Sequence, residues 1–220
     1  MASTSGSGPK GDLRVAVLLS GTGRTLENLI ERTRVGELPL RFVQVISSRD
    51  GVRGNDVAAT AGIPLTVLPR RAFPSIPAFS EAVWTVLDPL APDLILMAGF
   101  LCKIDVPDRY LGRIMNIHPS LLPLFGGRGL YGDRVHAAVL ASGMRVTGCT
   151  VHFVDNDYDA GPIILQRCVP VLDGDSVESL ARRVFTEERE IYPEAIRLFA
   201  AGRLQVEGRR VVVLPAQPVR

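Results

Sequence analysis

Two polar side chains that suit acyl transfer, Asn116 and His118, stand two residues apart at the end of the apolar run Arg113–Ile117. Alternation along a strand places both of them on one face and Ile117 on the other. Pro119 ends the strand at once, so the two polar groups are held on stiff backbone. A side-chain amide can stabilise an oxyanion, and an imidazole exchanges protons near neutral pH. The same pair is also compatible with a loop-forming asparagine beside a strand-end histidine that bonds only to backbone.

A second candidate group is the aspartate cluster Asp155, Asp157 and Asp159, which ends at Gly161-Pro162. A calcium hand needs a longer ligand array that ends in glutamate, so the cluster does not predict one. Asp155 and Asp157 fit solvated acids in a turn. Asp159 lies next to the rigid Gly-Pro pair, and a carboxylate placed near His118 would favour the charged imidazolium.

No metal is expected, because the three histidines have no pairwise spacing typical of a metal site. They lie at His118, His136 and His152. We interpret His152 as a structural histidine or one that supports the site from behind, and His136 as structural.

The Gly-rich turn Ser20–Thr25 follows the first apolar run and precedes a predicted helix. Glycines there let backbone N–H groups approach an anion at the helix start. Leu26 takes the place of the third glycine of a dinucleotide fingerprint, and no Walker A lysine is present. A single phosphate is the better fit, and a plain strand–helix turn is the alternative.

The elements around these motifs alternate between short apolar strands and longer helices, which predicts an α/β fold. We expect a doubly wound, mostly parallel twisted sheet with helices on both faces. The predicted domain is 12–204, with a disordered tail at 1–11 and a C-terminal tail at 205–220. The predicted strands are 14–19, 42–46, 65–68, 93–98, 113–117, 147–154 and 163–171, and the predicted helices are 26–34, 55–61, 77–90, 133–142 and 176–198.

Composition limits the possible partners to small molecules. A net charge of +2 is too small to indicate a nucleic-acid-binding face, and no apolar run reaches the roughly 18 residues of a membrane helix. Cys102, Cys149 and Cys168 are odd in number and show no Cys-x-x-Cys spacing, which indicates reduced thiols. Without a secretory signal we expect a cytoplasmic protein, either a monomer or a homodimer.

An ordered set of segments resembles the glycinamide ribonucleotide formyltransferase family, which depends on 10-formyltetrahydrofolate. The resemblance runs from about Val15 to Leu204. The matching segments are 20–25, 98–100, 116–123, 148–154, 159–166 and 188–193.

This resemblance implies a role for each matched position, and a Rossmann-like formyltransferase fold. Asn116, His118 and Asp159 correspond to the catalytic trio. The implied ribonucleotide-binding residues are Gly23, Arg24, Thr25 and Glu188. The implied folate-binding residues are Leu101, Cys102, Lys103, Ile104 and Asn116, together with the loop 154–159.

Departures from the family pattern and competing functions stay open at this stage. Cys102 and Lys103 replace an arginine and an apolar residue, Ile76 stands where a basic residue often holds the folate tail, and Phe185 stands near a polar phosphate contact. Arg70 or Arg71 is a possible substitute for the basic residue. The rival functions are a formyltetrahydrofolate hydrolase, another folate-dependent formyltransferase, a non-catalytic nucleotide-binding module and a Rossmann dehydrogenase.

Overall fold

A computed structural model describes residues 11–216, and this part of the chain contains nine strands and five α-helices. The strands are β1 Leu13–Leu19, β2 Leu40–Ser47, β3 Leu65–Val67, β4 Leu94–Met97, β5 Ile114–His118, β6 Val146–Phe153, β7 Ile163–Pro170, β8 Leu204–Glu207 and β9 Arg210–Val213. The helices are α1 Arg24–Arg34, α2 Arg53–Thr60, α3 Ile76–Leu87, α4 Asp133–Ala141 and α5 Val177–Ala200, and short 3-10 turns lie at Arg70–Ala72, Asp88–Leu90 and Asp108–Tyr110.

All nine strands form one sheet in the order β3-β2-β1-β4-β5-β6-β7-β9-β8. The strands from β3 to β5 pair in parallel, whereas β6 is antiparallel to both of its neighbours. Because β9 is parallel to β7 and β8 is antiparallel to β9, only β6 and β8 of these strands run against the common direction. The predicted mostly parallel, doubly wound α/β sheet is confirmed.

The two faces of the sheet carry separate apolar cores, because the central strands are buried on both sides. In β1, Val15, Val17 and Leu19 belong to the core beneath α1 and α5. Ala16 and Leu18 belong to the opposite core, which is formed with α3. The nearly continuous apolar sequence of β1 therefore results from burial on two faces, and it places helices on both sides.

Helix α5 begins at a strong cap and continues through a proline. The Ser176 side chain accepts the Ser179 N–H and the Ser179 side chain accepts the Ser176 N–H, which is a capping box. Pro193 lacks the N–H that would pair with the carbonyl of Arg189 four residues earlier. Asn28 of α1 donates its Nδ2–H to that carbonyl at 3.0 Å. The hydrogen bond that α5 lacks is therefore replaced by one that joins α5 to α1.

Tyr192, also on α5, connects the helix to the middle of the sheet. Its ring is fully buried, and its hydroxyl lies 3.1 Å from the Met97 carbonyl of β4 and 2.9 Å from the Met115 carbonyl of β5. These carbonyls belong to the strands that lead to the candidate site. Helix α5 is therefore anchored directly beneath Asn116.

Two predicted boundaries moved for identifiable reasons. Helix α1 starts at Arg24, two residues before the predicted start, because left-handed Gly23 with φ 74° serves as its N-cap. Helix α3 ends at Leu87 and tightens into a 3-10 turn, because Pro89 cannot donate the next helical hydrogen bond.

The segment that we expected to be a C-terminal tail, 205–220, contains most of a β-hairpin. Strands β8 and β9 pair antiparallel around a turn in which Gly208 has φ 61°, and β9 joins β7 through Arg210 and Ile163. The β-branched run at 211–213 favours an extended conformation, although the strands are short and largely exposed. Residues 1–10 of the expected N-terminal tail, and residues 217–220, lie outside the described residues.

Candidate active site

A cleft of about 520 Å³ lies at the carboxyl ends of β1, β4 and β5, where open α/β sheets bind their ligands. Its walls come from the first turn of α1, the segment after β4, the loop after β5, the loop 154–159 and one face of α5. Asn116, His118 and Asp159 all line it. The structure thus brings Asp159 to Asn116 and His118, which precede it by more than forty residues.

His118 is held by the backbone of the loop that follows it. Its ring is only 4% exposed, and Nε2 lies 2.9 Å from the Phe125 carbonyl oxygen. A carbonyl can only accept, so Nε2 carries a hydrogen and donates it. The proton that His118 gains or loses is therefore the one on Nδ1. Nδ1 lies 3.7 Å from Asp159.

Asp159 is fixed by its own backbone and by the same loop. It has φ 51°, a left-handed conformation that is uncommon for a non-glycine residue, and its Oδ2 accepts the Gly127 N–H at 2.9 Å. The 3.7 Å between Oδ2 and His118 Nδ1 is longer than a hydrogen bond, so the contact is electrostatic. Phe125 shares the left-handed conformation with φ 54°. Such uncommon backbone geometry often clusters at active sites.

Asn116 is oriented by His152, which lies opposite it across the β5–β6 pair. Burial lowers the pKa of His152, against smaller opposing effects of its bond to the Phe153 carbonyl and of Asp159. His152 is therefore neutral at pH 7, with its hydrogen on Nδ1, which donates to that carbonyl at 2.8 Å. Its bare Nε2 accepts from Asn116 Nδ2 at 3.2 Å. The interpretation of His152 as a supporting histidine agrees with this geometry.

The residues expected to bind the ribonucleotide meet at one end of the cleft, where Arg24, Thr25 and Glu188 line the wall. Gly23 is buried behind them and does not line the cleft. A Cβ on Gly23 would lie 2.6 Å from the Gly54 Cα, so the turn requires glycine for this close approach as well as for its φ.

Glu188 and Arg24 influence each other across that end of the cleft. Burial in the wall raises the pKa of Glu188 to about 7, and the positive charge of Arg24 opposes the shift. The Arg24 guanidinium lies over the Phe185 ring, 4.4 Å from its centroid. Two helices therefore present a cation, an aromatic ring and a carboxyl group to the same space.

The segment expected to bind folate, Leu101 to Ile104, also lines the cleft, together with the loop 154–159. The Leu101 N–H donates to the Ser20 hydroxyl at 2.9 Å, which ties this segment to the end of β1. Lys103 Nζ lies 5.1 Å from the centroid of the Tyr158 ring, so a cation–π contact joins the two walls. Cys102 lines the cleft as a free thiol.

Residues 11–216 contain no group of three or more histidine, cysteine or acidic side chains placed to hold a metal ion. Over the same residues, no helix has both the length and the apolar character that crossing a membrane requires.

Sequence reasoning did not identify the loop segment Phe125–Gly127, which hydrogen-bonds both His118 and Asp159. Both contacts use backbone groups, so residue types alone do not reveal them. The available signal was the Gly126-Gly127 pair directly after the rigid Pro119–Pro123 segment. His136, which we interpreted as structural, lines the cleft, and its buried Nδ1 has no hydrogen-bond partner among residues 11–216.

Solved structures similar to this chain include several formyltransferases. Glycinamide ribonucleotide transformylase 1 from Symbiobacterium toebii superposes with a TM-score of 0.87 at 44% identity, over 94% of this chain and 96% of that one. Phosphoribosylglycinamide formyltransferase from Brucella melitensis superposes with a TM-score of 0.77 at 41% identity, over 89% and 99%.

Curated relatives agree with the structural matches. The trifunctional purine biosynthetic protein adenosine-3 of Bos taurus is 45% identical over 200 residues, which cover 89% of this chain and 19% of that protein. This chain therefore spans about a fifth of the length of such vertebrate relatives. Phosphoribosylglycinamide formyltransferase of Haemophilus influenzae is 38% identical over 197 residues, 88% of this chain and 90% of the relative. The formyl transferase family profile matches residues 13–196, and the chain belongs to the formyl transferase family.

Proposed function

We propose that this protein transfers the formyl group of 10-formyltetrahydrofolate to the amine of glycinamide ribonucleotide, a step of purine biosynthesis. The observation that carries the proposal is the convergence of Asn116, His118 and Asp159 on one cleft. Relatives that share most of their length with this chain, such as the Haemophilus influenzae protein, are named for this reaction. The expected partners are these two small molecules, and the expected location is the cytoplasm.

The cleft suits a reaction between two bound substrates. Glu188 and Arg24 line it, as do the segment 101–104 and the trio. Holding an amine against a formyl carbon in such a site supplies a large part of the acceleration by itself. In this proposal Glu188 contacts the ribose, the turn after β1 contacts the phosphate, and the segment 101–104 contacts the folate ring.

The amine of the ribonucleotide attacks the formyl carbon, and the formyl oxygen becomes an oxyanion. Asn116 supports this charge with its amide, whose orientation His152 fixes. His118 contributes the N–H on Nδ1, because Nε2 is already committed to the Phe125 carbonyl. Asp159 faces that nitrogen at 3.7 Å.

Collapse of the tetrahedral intermediate breaks the bond between the formyl carbon and the folate nitrogen. The attacking amine loses a proton and the departing nitrogen gains one, so charge balances over the reaction. We assign this proton transfer to His118 and Asp159, which are both held by the segment Phe125–Gly127.

The decisive experiment follows the absorbance change on conversion of 10-formyltetrahydrofolate, with and without glycinamide ribonucleotide. Conversion that requires the ribonucleotide supports the transferase. Conversion without it indicates a hydrolase, and no conversion indicates a binding module or a different acceptor.

His118→Ala and Asp159→Asn are the matching variants. Both should lose most of the turnover while they bind the ribonucleotide with nearly unchanged affinity in a calorimetric titration. Equal losses of binding and turnover would contradict the catalytic roles.

A further inference from the structure

Helix α5 presents two unlike side chains to the cleft from one face. Phe185 and Glu188 are three residues apart, so they lie side by side on the helix surface. The ring of Phe185 and the carboxyl group of Glu188 both line the cleft opposite the start of α1.

Arg24, the first residue of α1, reaches toward this face and stacks on it. Its guanidinium carbon lies 4.4 Å from the centroid of the Phe185 ring. Two other arginines are paired with carboxylates: Arg53 bonds Glu27 at 2.7 Å, and Arg34, at the far end of α1, bonds Glu31 at 2.8 Å. Arg24 is exposed and lines the cleft, where a ring is its neighbour and it forms no salt bridge with a carboxylate of residues 11–216.

Stacking uses the flat face of a guanidinium and leaves its edges free. The N–H groups lie in the plane of the group, where they match the geometry of a phosphate with two parallel hydrogen bonds. An arginine that is not stacked loses side-chain conformational entropy when it binds an anion. Because the Phe185 ring already restricts the Arg24 side chain, less of this entropy is lost on binding. The Phe185 ring therefore holds the Arg24 guanidinium in an orientation that can bind an anion.

We propose that Arg24, positioned by Phe185, is the side chain that selects a phosphate monoester on the acceptor. This inference rests on the proposed function, which places the ribose phosphate beside the turn Gly23–Thr25. It goes further because it assigns the discrimination between acceptors with and without a phosphate to the side chain of Arg24, and a positioning role to Phe185. Glu188, in the same wall, is left to the ribose.

The test compares acceptors with and without the phosphate. Formyl transfer is measured at saturating donor with glycinamide ribonucleotide and with its dephosphorylated riboside. Arg24→Ala should raise KM for the ribonucleotide roughly 10- to 100-fold, the usual range for one hydrogen-bonded charge, with kcat nearly unchanged. The KM for the riboside should stay within about twofold of its original value, because that acceptor has no phosphate to lose.

Single substitutions of Phe185 and a double variant with Arg24→Ala test the role of the ring. Phe185→Leu keeps apolar bulk and should raise KM for the ribonucleotide about 2- to 5-fold. Phe185→Tyr keeps an aromatic ring and should have the KM of the wild type. In the double variant, loss of the ring should add nothing to Arg24→Ala. Arg34→Ala removes the same charge from the far end of α1 and is the matched control, with KM unchanged.

Several results would overturn the inference. One is an Arg24→Ala variant with the same KM for the ribonucleotide as Arg34→Ala. Another is an equal rise in KM for the riboside and for the ribonucleotide. Fully additive effects of Arg24→Ala and Phe185→Leu would remove the positioning role of the ring. If the protein formylates neither acceptor, the proposed function fails, but calorimetric titration with ribose 5-phosphate still tests the pair, since Arg24→Ala must weaken that binding and Arg34→Ala must not.

Discussion

Gly126→Ala is the sharpest test of the idea that the loop after β5 aligns His118 and Asp159, the proposed catalytic pair. A Cβ at this position would lie 2.5 Å from Leu122 Cδ2 and 3.2 Å from the Asp159 Cβ. Leu122 is buried, so its side chain has little room to turn away. Restoring an ordinary contact of about 3.5 Å requires a relative shift of about 1 Å between the loop and its neighbours.

A shift of that size acts on both His118 and Asp159. The bonds from Gly127 to Asp159 and from His118 to Phe125 are each 2.9 Å, and another ångström takes them beyond hydrogen-bond range. A displacement of about 1 Å in a reacting group costs on the order of 100-fold in rate, so kcat should fall by about that factor. The unfolding free energy should fall by about 1–3 kcal/mol, the usual cost of overpacking.

The assay is steady-state formyl transfer combined with urea unfolding. Gly143→Ala is the stability control, because Gly143 has φ 72°, open space around its Cβ position and a place after α4. It should lose about 1 kcal/mol of stability from backbone strain without loss of kcat. Leu122→Val combined with Gly126→Ala removes the atom at 2.5 Å and should recover part of the rate. Wild-type kcat in a folded Gly126→Ala protein would refute the alignment role of the loop.

Three further outcomes are expected. Tyr192→Phe leaves two buried strand carbonyls without their shared donor, so urea unfolding should show a loss of about 1–3 kcal/mol, and an unchanged midpoint would contradict the anchoring role. Burial lowers the folded-state pKa of His152, so below about pH 6.5 the unfolded chain binds more protons at this residue and its contribution to stability falls as pH falls. The stability difference between wild type and His152→Gln should therefore shrink toward acid by up to about 1.4 kcal/mol per pH unit, and a pH-independent difference would show that His152 does not titrate in this way. Lys103→Ala should raise KM for the formyl donor a few-fold and leave KM for the acceptor unchanged, because Lys103 contacts Tyr158 within the proposed folate-binding segments; equal changes in both would contradict that assignment.

Much of the site follows from local sequence rules. Alternation and a strand-ending proline predict that Asn116 and His118 point to one side of the sheet, and the structure places both in the cleft. Asp159 was singled out by its position beside Gly161-Pro162, and it faces His118. These features depend on periodicity and on proline, which a sequence displays directly.

Other features depend on tertiary geometry that no local pattern carries. The Phe125 carbonyl reaches His118 because a non-glycine residue adopts a left-handed conformation, and nothing in a phenylalanine predicts that. The Arg24–Phe185 contact joins residues far apart in the chain. The hairpin of β8 and β9 was predicted as a tail because its strands are short and expose apolar side chains such as Val206.

The proline in α5 has a consequence for which substrates fit. With Pro193 in place, the Arg189 carbonyl finds its partner only when Asn28 of α1 lies beside it, so a slip of one helical turn would leave a buried acceptor unpaired. Asn28 lies one turn beyond Arg24, and Arg189 directly follows Glu188. The contact therefore fixes the spacing between Arg24 and Glu188, the side chains proposed to contact the phosphate and the ribose, and an acceptor whose sugar–phosphate spacing is longer or shorter would reach one of them at the expense of the other.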